Sequence, residues 1–298
     1  MKSGFVALIG RPNVGKSTFL NAILGKKVSI VTPIPQTTRY KIRGIYTDNR
    51  GQIVFIDTPG FYKPQHFLGK TLFNFMKDSI KEVDLVLYMT DVTRPVGEEE
   101  LEIMKMIINE NKKTIMALNK IDRGTGFSND YIEYWNKLTK DLKKNPLLFF
   151  VPISALNNKN LDKIIDIIFE NLEEGTLLYP QDMLSDLPKE IAFSDIIREK
   201  LYMFLKDELP HSIGVNIEEM TEKSENLMYI KAIIYVEKPS HKKIVIGKDG
   251  RILKEAGKLA RQELETILNK KVYLDLWVKV KEDWPNKPQF LRELGYES

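Results

Sequence analysis

Residues 10–17 read GRPNVGKS. The octet matches G-x-x-x-x-G-K-[ST], directly after the apolar run FVALIG (5–10) and opening STFLNAIL (17–24), which Gly25 stops. A buried-type strand, a glycine turn and a helix in that order are the context in which such a loop cradles phosphate. Gly10 and Gly15 let successive amides turn inward, and the helix N-terminus adds partial positive charge. Lys16 reaches phosphate oxygens as a point charge, and Ser17 offers a hydroxyl to magnesium. Gly10, Arg11, Pro12, Asn13, Val14, Gly15, Lys16, Ser17 and Thr18 are therefore expected to line a nucleotide site.

Further along, QIVFID ends in Asp57 and continues as Thr58, Pro59, Gly60 and Phe61. A carboxylate at a strand end holds magnesium through its water shell, and the Gly60 amide meets a terminal phosphate. Phe61 stands where a polar side chain would orient an attacking water, and it has no group for that task. Between the two motifs lies PQTTRY (35–40), a loop expected to close on magnesium and the last phosphate. Thr38 is the expected metal ligand, with Thr37 as the alternative. Arg39 either supplies charge to the reaction or makes a surface ion pair.

NKID (119–122) decides the base. The Asp122 carboxylate only accepts, and guanine presents two adjacent hydrogens where adenine presents a bare acceptor. Adenine would cost roughly 1–3 kcal/mol or more there, so GTP is expected. Asn119 is expected to orient the loop and touch the base edge, and Lys120 to lie along the base face. The turn Ser154, Ala155, Leu156 is expected to give an amide to the guanine carbonyl.

Composition bounds the rest. The 298 residues hold no cysteine, three histidines and a net charge of +4. Disulfides, thiolate metal sites and cysteine nucleophiles are excluded. No apolar stretch approaches a membrane span, so a soluble chain is expected. Strands and helices alternate through the first two thirds, which predicts a mostly parallel sheet covered on both faces. Periodicity lapses at EEGTLLYPQDMLSDLP, which reads as a linker over 173–188 between a nucleotide domain (1–172) and an α+β domain with C-terminal tail (189–298). In the second domain a long helix, 251–269, is expected to bury Ile252, Ala256, Leu259, Ala260, Leu264, Ile267 and Leu268. Residues 238–258 carry seven Lys+Arg against two acids around VIGKDGRIL, a docking surface for phosphates.

GRPNVGKS, QTTR, DTPG, NKID and SAL together resemble the translation-factor-class GTPases, and in particular the Era and tRNA-modification branch. VIGKDGRIL beside a three-stranded sheet resembles a KH domain of the type whose strands precede the GxxG helices. The pairing is similar to the Era family over essentially the whole chain, including IIREKL, LWVKVK and the LGY ending. In the KH reading Gly247 and Gly250 let backbone approach a nucleotide chain. Lys242, Lys243, Lys248 and Arg251 meet phosphates, Ile244 and Ile246 line the base groove, and Asp249 completes the turn. The resemblance implies a slow GTPase that binds the 3′ end of small-subunit ribosomal RNA and acts in assembly of the small ribosomal subunit. It also implies a cytoplasmic protein with peripheral attachment at the inner face of the membrane. The branch places a potassium ion beside the phosphates, ligated through the position matching Asn13; the other reading of Asn13 is a brace for the loop. Lys16, Asn13, Thr38 and Gly60 are the groups expected to act on the reaction, with Ser17, Thr38 and Asp57 on Mg2+. The rival reading is an RNA-binding assembly factor in which GTP is mainly a structural ligand.

Overall fold

The computed structural model describes residues 1–35, 37–61, 64, 66–143, 145–206 and 209–296. It divides into two compact units. The first comprises Met1–Ser29, Thr38–Pro64 and Leu72–Asp186; the second comprises Ile30–Thr37, Gln65–Thr71 and Leu187–Ser298. Gln36, part of the PQTTRY loop, lies outside the described residues.

The first unit is built on a six-stranded sheet. Its strands are β1 (Lys2–Ile9), β2 (Ile42–Asp48), β3 (Gly51–Asp57), β4 (Leu85–Asp91), β5 (Lys113–Asn119) and β6 (Leu147–Pro152), in the order β2-β3-β1-β4-β5-β6. All neighbours are parallel except the β2–β3 hairpin, whose turn is fixed by the Asp48 carboxylate accepting the Arg50 N–H at 2.8 Å. β3 and β4 are buried along their whole length, the reason QIVFID and LVLYMTD read as unbroken apolar runs. The connecting helices are α1 (Lys16–Leu24), α2 (Phe67–Glu82), α3 (Glu98–Glu110), α4 (Ser128–Thr139) and α5 (Leu161–Asn171). One core, around Leu8, Phe55 and Ile164, lies on one face of the sheet. The other, around Ile9, Tyr88 and Trp135, lies on the opposite face. The strand order reverses at β1, with β3 on one side and β4 on the other, so a crevice opens at the carboxyl ends of these strands.

The stretch 173–186, expected as a linker, belongs to the first unit. It wraps along the sheet by main-chain bonds: Gly175 N–H to the Met1 carbonyl at 2.8 Å, and Ile45 N–H to the Leu184 carbonyl at 2.9 Å. The Gln52 side-chain oxygen accepts both Leu178 and Tyr179 N–H at 2.8 Å. The segment lacks periodicity because it covers the edge strand β2 without a helix or strand of its own.

The second unit is α+β. Helix α6 (Lys189–Tyr202) leads into strands β7 (Ile213–Ser224) and β8 (Leu227–Val236), followed by α7 (Pro239–Ile246), α8 (Arg251–Leu268), β9 (Lys271–Val280) and a short α9 (Pro288–Glu293). The sheet order is β7-β8-β9, antiparallel and then parallel. Ala256, Ala260 and Leu264 of α8 are fully buried against it at four-residue spacing, with Ile252 and Leu268 packed at the ends. Ile267 keeps to that face by helical spacing but is 52% exposed, in the last turn of α8. The tail folds too: Trp284 is fully buried, and its indole N–H donates to the Ser212 carbonyl at 3.0 Å.

Candidate functional site

At the crevice of the first unit the GRPNVGKS loop runs from β1 into α1. Gly15 has φ 106°, and a Cβ there would stand 2.3 Å from Asn119 Nδ2, so the loop can close on the NKID strand end only with glycine. Asn13 is also left-handed, at φ 62°. Gly60 abuts the same loop, since a Cβ on it would meet the Pro12 nitrogen at 2.6 Å. The neighbouring Phe61 N–H donates to the Gly10 carbonyl at 3.1 Å. The Lys16 ammonium donates to the carbonyls of Gly10 at 3.1 Å and Arg11 at 3.0 Å. Burial pushes its pKa down to about 8, against the opposing pull of Asp57 and Glu100.

Asp57 is fully buried and gathers hydroxyls on one oxygen. Its Oδ2 accepts from Ser17 at 2.7 Å, Ser29 at 2.8 Å and Thr38 at 3.5 Å, and the Ser17 and Thr38 hydroxyls lie 3.2 Å apart. Its Oδ1 is buried with no hydrogen-bond partner. Burial raises the Asp57 pKa, with Lys16 and the three hydroxyls pulling the other way. An unpartnered carboxylate oxygen beside two hydroxyls is a hard-oxygen donor set that fits Mg2+. Thr37 does not join it: its hydroxyl is 2.6 Å from that of Thr32 and donates to the Ile34 carbonyl at 2.6 Å.

Several expected nucleotide residues have other partners. The Thr58 hydroxyl donates to the Leu8 carbonyl at 2.8 Å, inside the sheet. The Arg11 guanidinium turns away from the loop mouth, to Glu100 at 2.7 Å and the Tyr131 hydroxyl at 3.2 Å. Phe61 is 2% exposed and packs edge-on to Phe73 at 5.8 Å. Arg39, for which a surface ion pair was one expectation, is buried.

The NKID end of β5, expected as the base site, is a brace. Asn119 donates to the Val14 carbonyl at 2.7 Å and accepts the Ala155 N–H at 2.9 Å, tying the phosphate loop to the SAL turn. Of the amides in the turn expected to meet guanine, that of Ala155 is thus donated to Asn119. The Lys120 ammonium pairs with Asp91 at 2.6 Å, which stretches its stem in place. That pairing, with the Thr93 hydroxyl, holds the Asp91 carboxyl below its usual range despite desolvation. Asp122 accepts from the Ser154 hydroxyl at 2.5 Å through Oδ1, and the Arg123 guanidinium stands 3.9 Å from its Oδ2. Ser29, Asp91 and Glu100 are site residues that the motifs do not contain. Each lies many residues from the group it serves, and no local spacing marks it.

In the second unit the GKDG turn joins α7 to α8. Gly247 (φ 75°) and Gly250 (φ 74°) are left-handed, and a Cβ on Gly247 would press on Ile252 at 2.9 Å. Lys243, Lys248, Asp249 and Arg251 are exposed and Lys242 is half-buried. Among the described residues no ion pair holds Lys243, Lys248 or Arg251. Ile244 is 50% exposed beside them, while Ile246 packs partly on the core. A tight glycine turn, exposed cations without ion pairs and an exposed isoleucine suit a single strand with splayed bases.

The chain compares closely with known proteins. A family model described as a 50S ribosome-binding GTPase matches residues 5–120, and a KH domain model matches residues 208–285. GTPase Era of Staphylococcus haemolyticus is 44% identical over 296 residues, 99% of this chain and 97% of that protein. Two crystal structures each share 42% identity, a TM-score of 0.92 and full coverage of both chains. One is an Era variant from Aquifex aeolicus bound to GDP·AlF4−, and the other is Era in complex with MgGDPNP and nucleotides 1506–1542 of 16S ribosomal RNA.

Proposed function

This chain belongs to the Era family of GTPases, and we propose from that premise that it binds GTP with Mg2+, hydrolyses it, and binds the 3′ end of small-subunit ribosomal RNA through its KH domain during small-subunit assembly. The observation that carries the nucleotide half is Asp57: three hydroxyls on one oxygen, and a buried second oxygen without a partner. Ser17, Thr38 and Asp57 would hold the metal. When bound, Mg2+ would neutralise charge on the β and γ phosphates. Lys16 would leave its two carbonyls for the phosphates, and the Gly60 amide would meet the γ-phosphate. Asp122 would accept the guanine hydrogens, with Asn119 fixing the distance between loop and base turn. Water would attack the γ-phosphate directly.

Phe61 is buried and apolar, so no side chain at that position orients the water. This supports a slow intrinsic rate and a potassium ion near Asn13 in place of an arginine finger. A rate in potassium no higher than in sodium would remove that ion from the account. Peripheral membrane contact would use the basic segment 238–258 on anionic headgroups. Among the described residues no helix is long and apolar enough to cross a membrane.

The 50S named for the matching GTPase model does not set the RNA in this reading. That match covers 5–120, whereas RNA would be chosen by the KH half, and the Era matched over its full chain carries 16S nucleotides. That segment is 37 nucleotides long, 1506 through 1542. A GxxG turn clamps about four.

Replacing Lys16 with Ala tests the reading. Loss of GTP hydrolysis together with loss of cellular function is expected, with RNA binding retained. Retained cellular function would favour the assembly factor for which GTP is only a structural ligand.

A further inference from the structure

The sheet of the second unit has a face that its helices do not cover. Residues of β8 and β9 alternate, with Ile230, Ala232, Ile234, Val272 and Val278 in the core. On the other face stand Tyr229, Tyr273 and Trp277. Tyr273 is 62% and Trp277 56% exposed, the two most exposed aromatic side chains among the described residues. They are held rather than loose. Tyr229 and Tyr273 stack at 5.8 Å with their planes 21° apart. Asp275, between them on the same face, accepts from the Tyr229 hydroxyl at 3.2 Å and from the Trp277 indole N–H at 3.0 Å.

An aromatic pair across two strands is an ordinary source of sheet stability, and it accounts for Tyr229 with Tyr273. It does not account for Trp277, which has no ring neighbour among the described residues. Resting on the RNA reading above, we propose that this face is a second RNA surface, a stacking platform on which Trp277 and the Tyr229–Tyr273 pair take unpaired bases of the strand gripped at GKDG.

The position of the face supports this. Gly257 of α8 abuts Leu276, and Glu265 accepts the Val272 N–H, so α8 runs antiparallel to β9. Its GKDG end therefore lies toward the carboxyl end of β9, where Trp277, Lys279 and Lys281 follow one another. A strand leaving the turn meets this edge next. Trp277 and Tyr273 are four residues apart, roughly 13 Å, several times the rise of stacked bases, which suits splayed ones. The charge fits as well. Residues 271–281 hold three lysines and one acid, and that acid is spent on the two rings. The nearby Glu218 pairs with Lys231 at 2.5 Å and Lys279 at 3.6 Å, so Lys271 and Lys281 are the lysines of this stretch that hold no ion pair among the described residues.

Of the three tryptophans, Trp135 and Trp284 are fully buried, so accessible tryptophan emission reports Trp277. The full chain is titrated with two RNAs, a single strand of about four nucleotides that fills only the turn and the 37-nucleotide strand of the 16S 3′ end. The long strand is expected to quench emission and shield it from iodide, and the short one is not. Trp277→Ala should weaken the long strand on the order of tenfold and the short one less than twofold, and Trp277→Phe should restore the long strand. Equal binding of both strands by wild type and Trp277→Ala overturns the platform and leaves the GKDG reading standing. Unchanged RNA affinities with lost binding to small-subunit particles would assign the face to a ribosomal protein and overturn it too. Wild type that binds neither RNA would sink the RNA reading and the platform together.

Discussion

Ser29 donates its hydroxyl to the same Asp57 oxygen that Ser17 holds, 2.8 Å against 2.7 Å, from a loop outside every recognised motif. The Ser29 amide is itself fixed by Asn21, whose side-chain oxygen accepts it at 3.0 Å. Asp57 is thereby aimed from two sides before any ligand arrives. A hydrogen bond to a charged group contributes about 1.5–3 kcal/mol. Ser29→Ala is expected to leave the fold intact, raise the Mg2+ concentration needed for half-maximal hydrolysis and lower kcat roughly tenfold. A magnesium titration of hydrolysis checks it; an unchanged curve would make Ser29 a packing residue.

Lys16 gives the pH dependence its sign. Its folded pKa is about 8 against 10.5 when unfolded, so between those values the unfolded chain holds more protons and stability rises with pH. Below pH 8 the buried ammonium costs the ligand-free protein up to about 3 kcal/mol. Lys16→Met is expected to be more stable than wild type by a good part of that at pH 7, with the gap closing toward pH 10.5. Urea unfolding of the ligand-free proteins across that range measures it. GTP affinity should move the other way, falling in wild type as pH rises past 8.

How much of this was legible in the sequence depends on how local each feature is. The phosphate loop, Asp57 and Asp122 stand out in the sequence because each sits in a contiguous motif at a strand end. The Thr37 and Thr38 alternatives were left open by sequence, since adjacent threonines differ only in direction. The chain turns Thr38 to Ser17 and Asp57 and Thr37 to Thr32. Ser29, Asp91 and Glu100 act across 28 or more residues, beyond any local pattern. The segment 173–186 reads as a linker because irregular chain that covers a sheet edge has the composition of a free one.

In the proposed site Asp122 would set the base by what it accepts. Asp122→Asn offers a donor where guanine needs an acceptor, so GTP should weaken by roughly 1–3 kcal/mol or more. A purine triphosphate with a carbonyl in place of the 2-amino group should bind better than to wild type. Competition between the two nucleotides decides it, and an unchanged order of preference would move base choice away from Asp122.

Behind the loop, Glu100 is fully buried and accepts from Arg11 and, through its second oxygen, from the Tyr88 hydroxyl. Burial raises its pKa, opposed by the Tyr88 hydrogen bond and the Arg11 charge. Glu100→Gln leaves a partly buried guanidinium without its counter-charge. Stability should drop by about 2–4 kcal/mol, and the KM for GTP should rise more than kcat falls. Thermal unfolding and steady-state kinetics on one preparation check both.

The most direct test of the whole account is RNA affinity as a function of the bound nucleotide. Thr38 belongs to the unit that holds Asp57, while Thr37 before it belongs to the unit that carries GKDG, so ordering of Thr38 on the metal is continuous with chain in the RNA-binding unit. The 16S 3′-end strand is titrated into protein loaded with a non-hydrolysable GTP analogue and into protein loaded with GDP. Affinities several-fold apart, and equalised by Thr38→Ala, are predicted; identical affinities in the two nucleotide states would contradict the account.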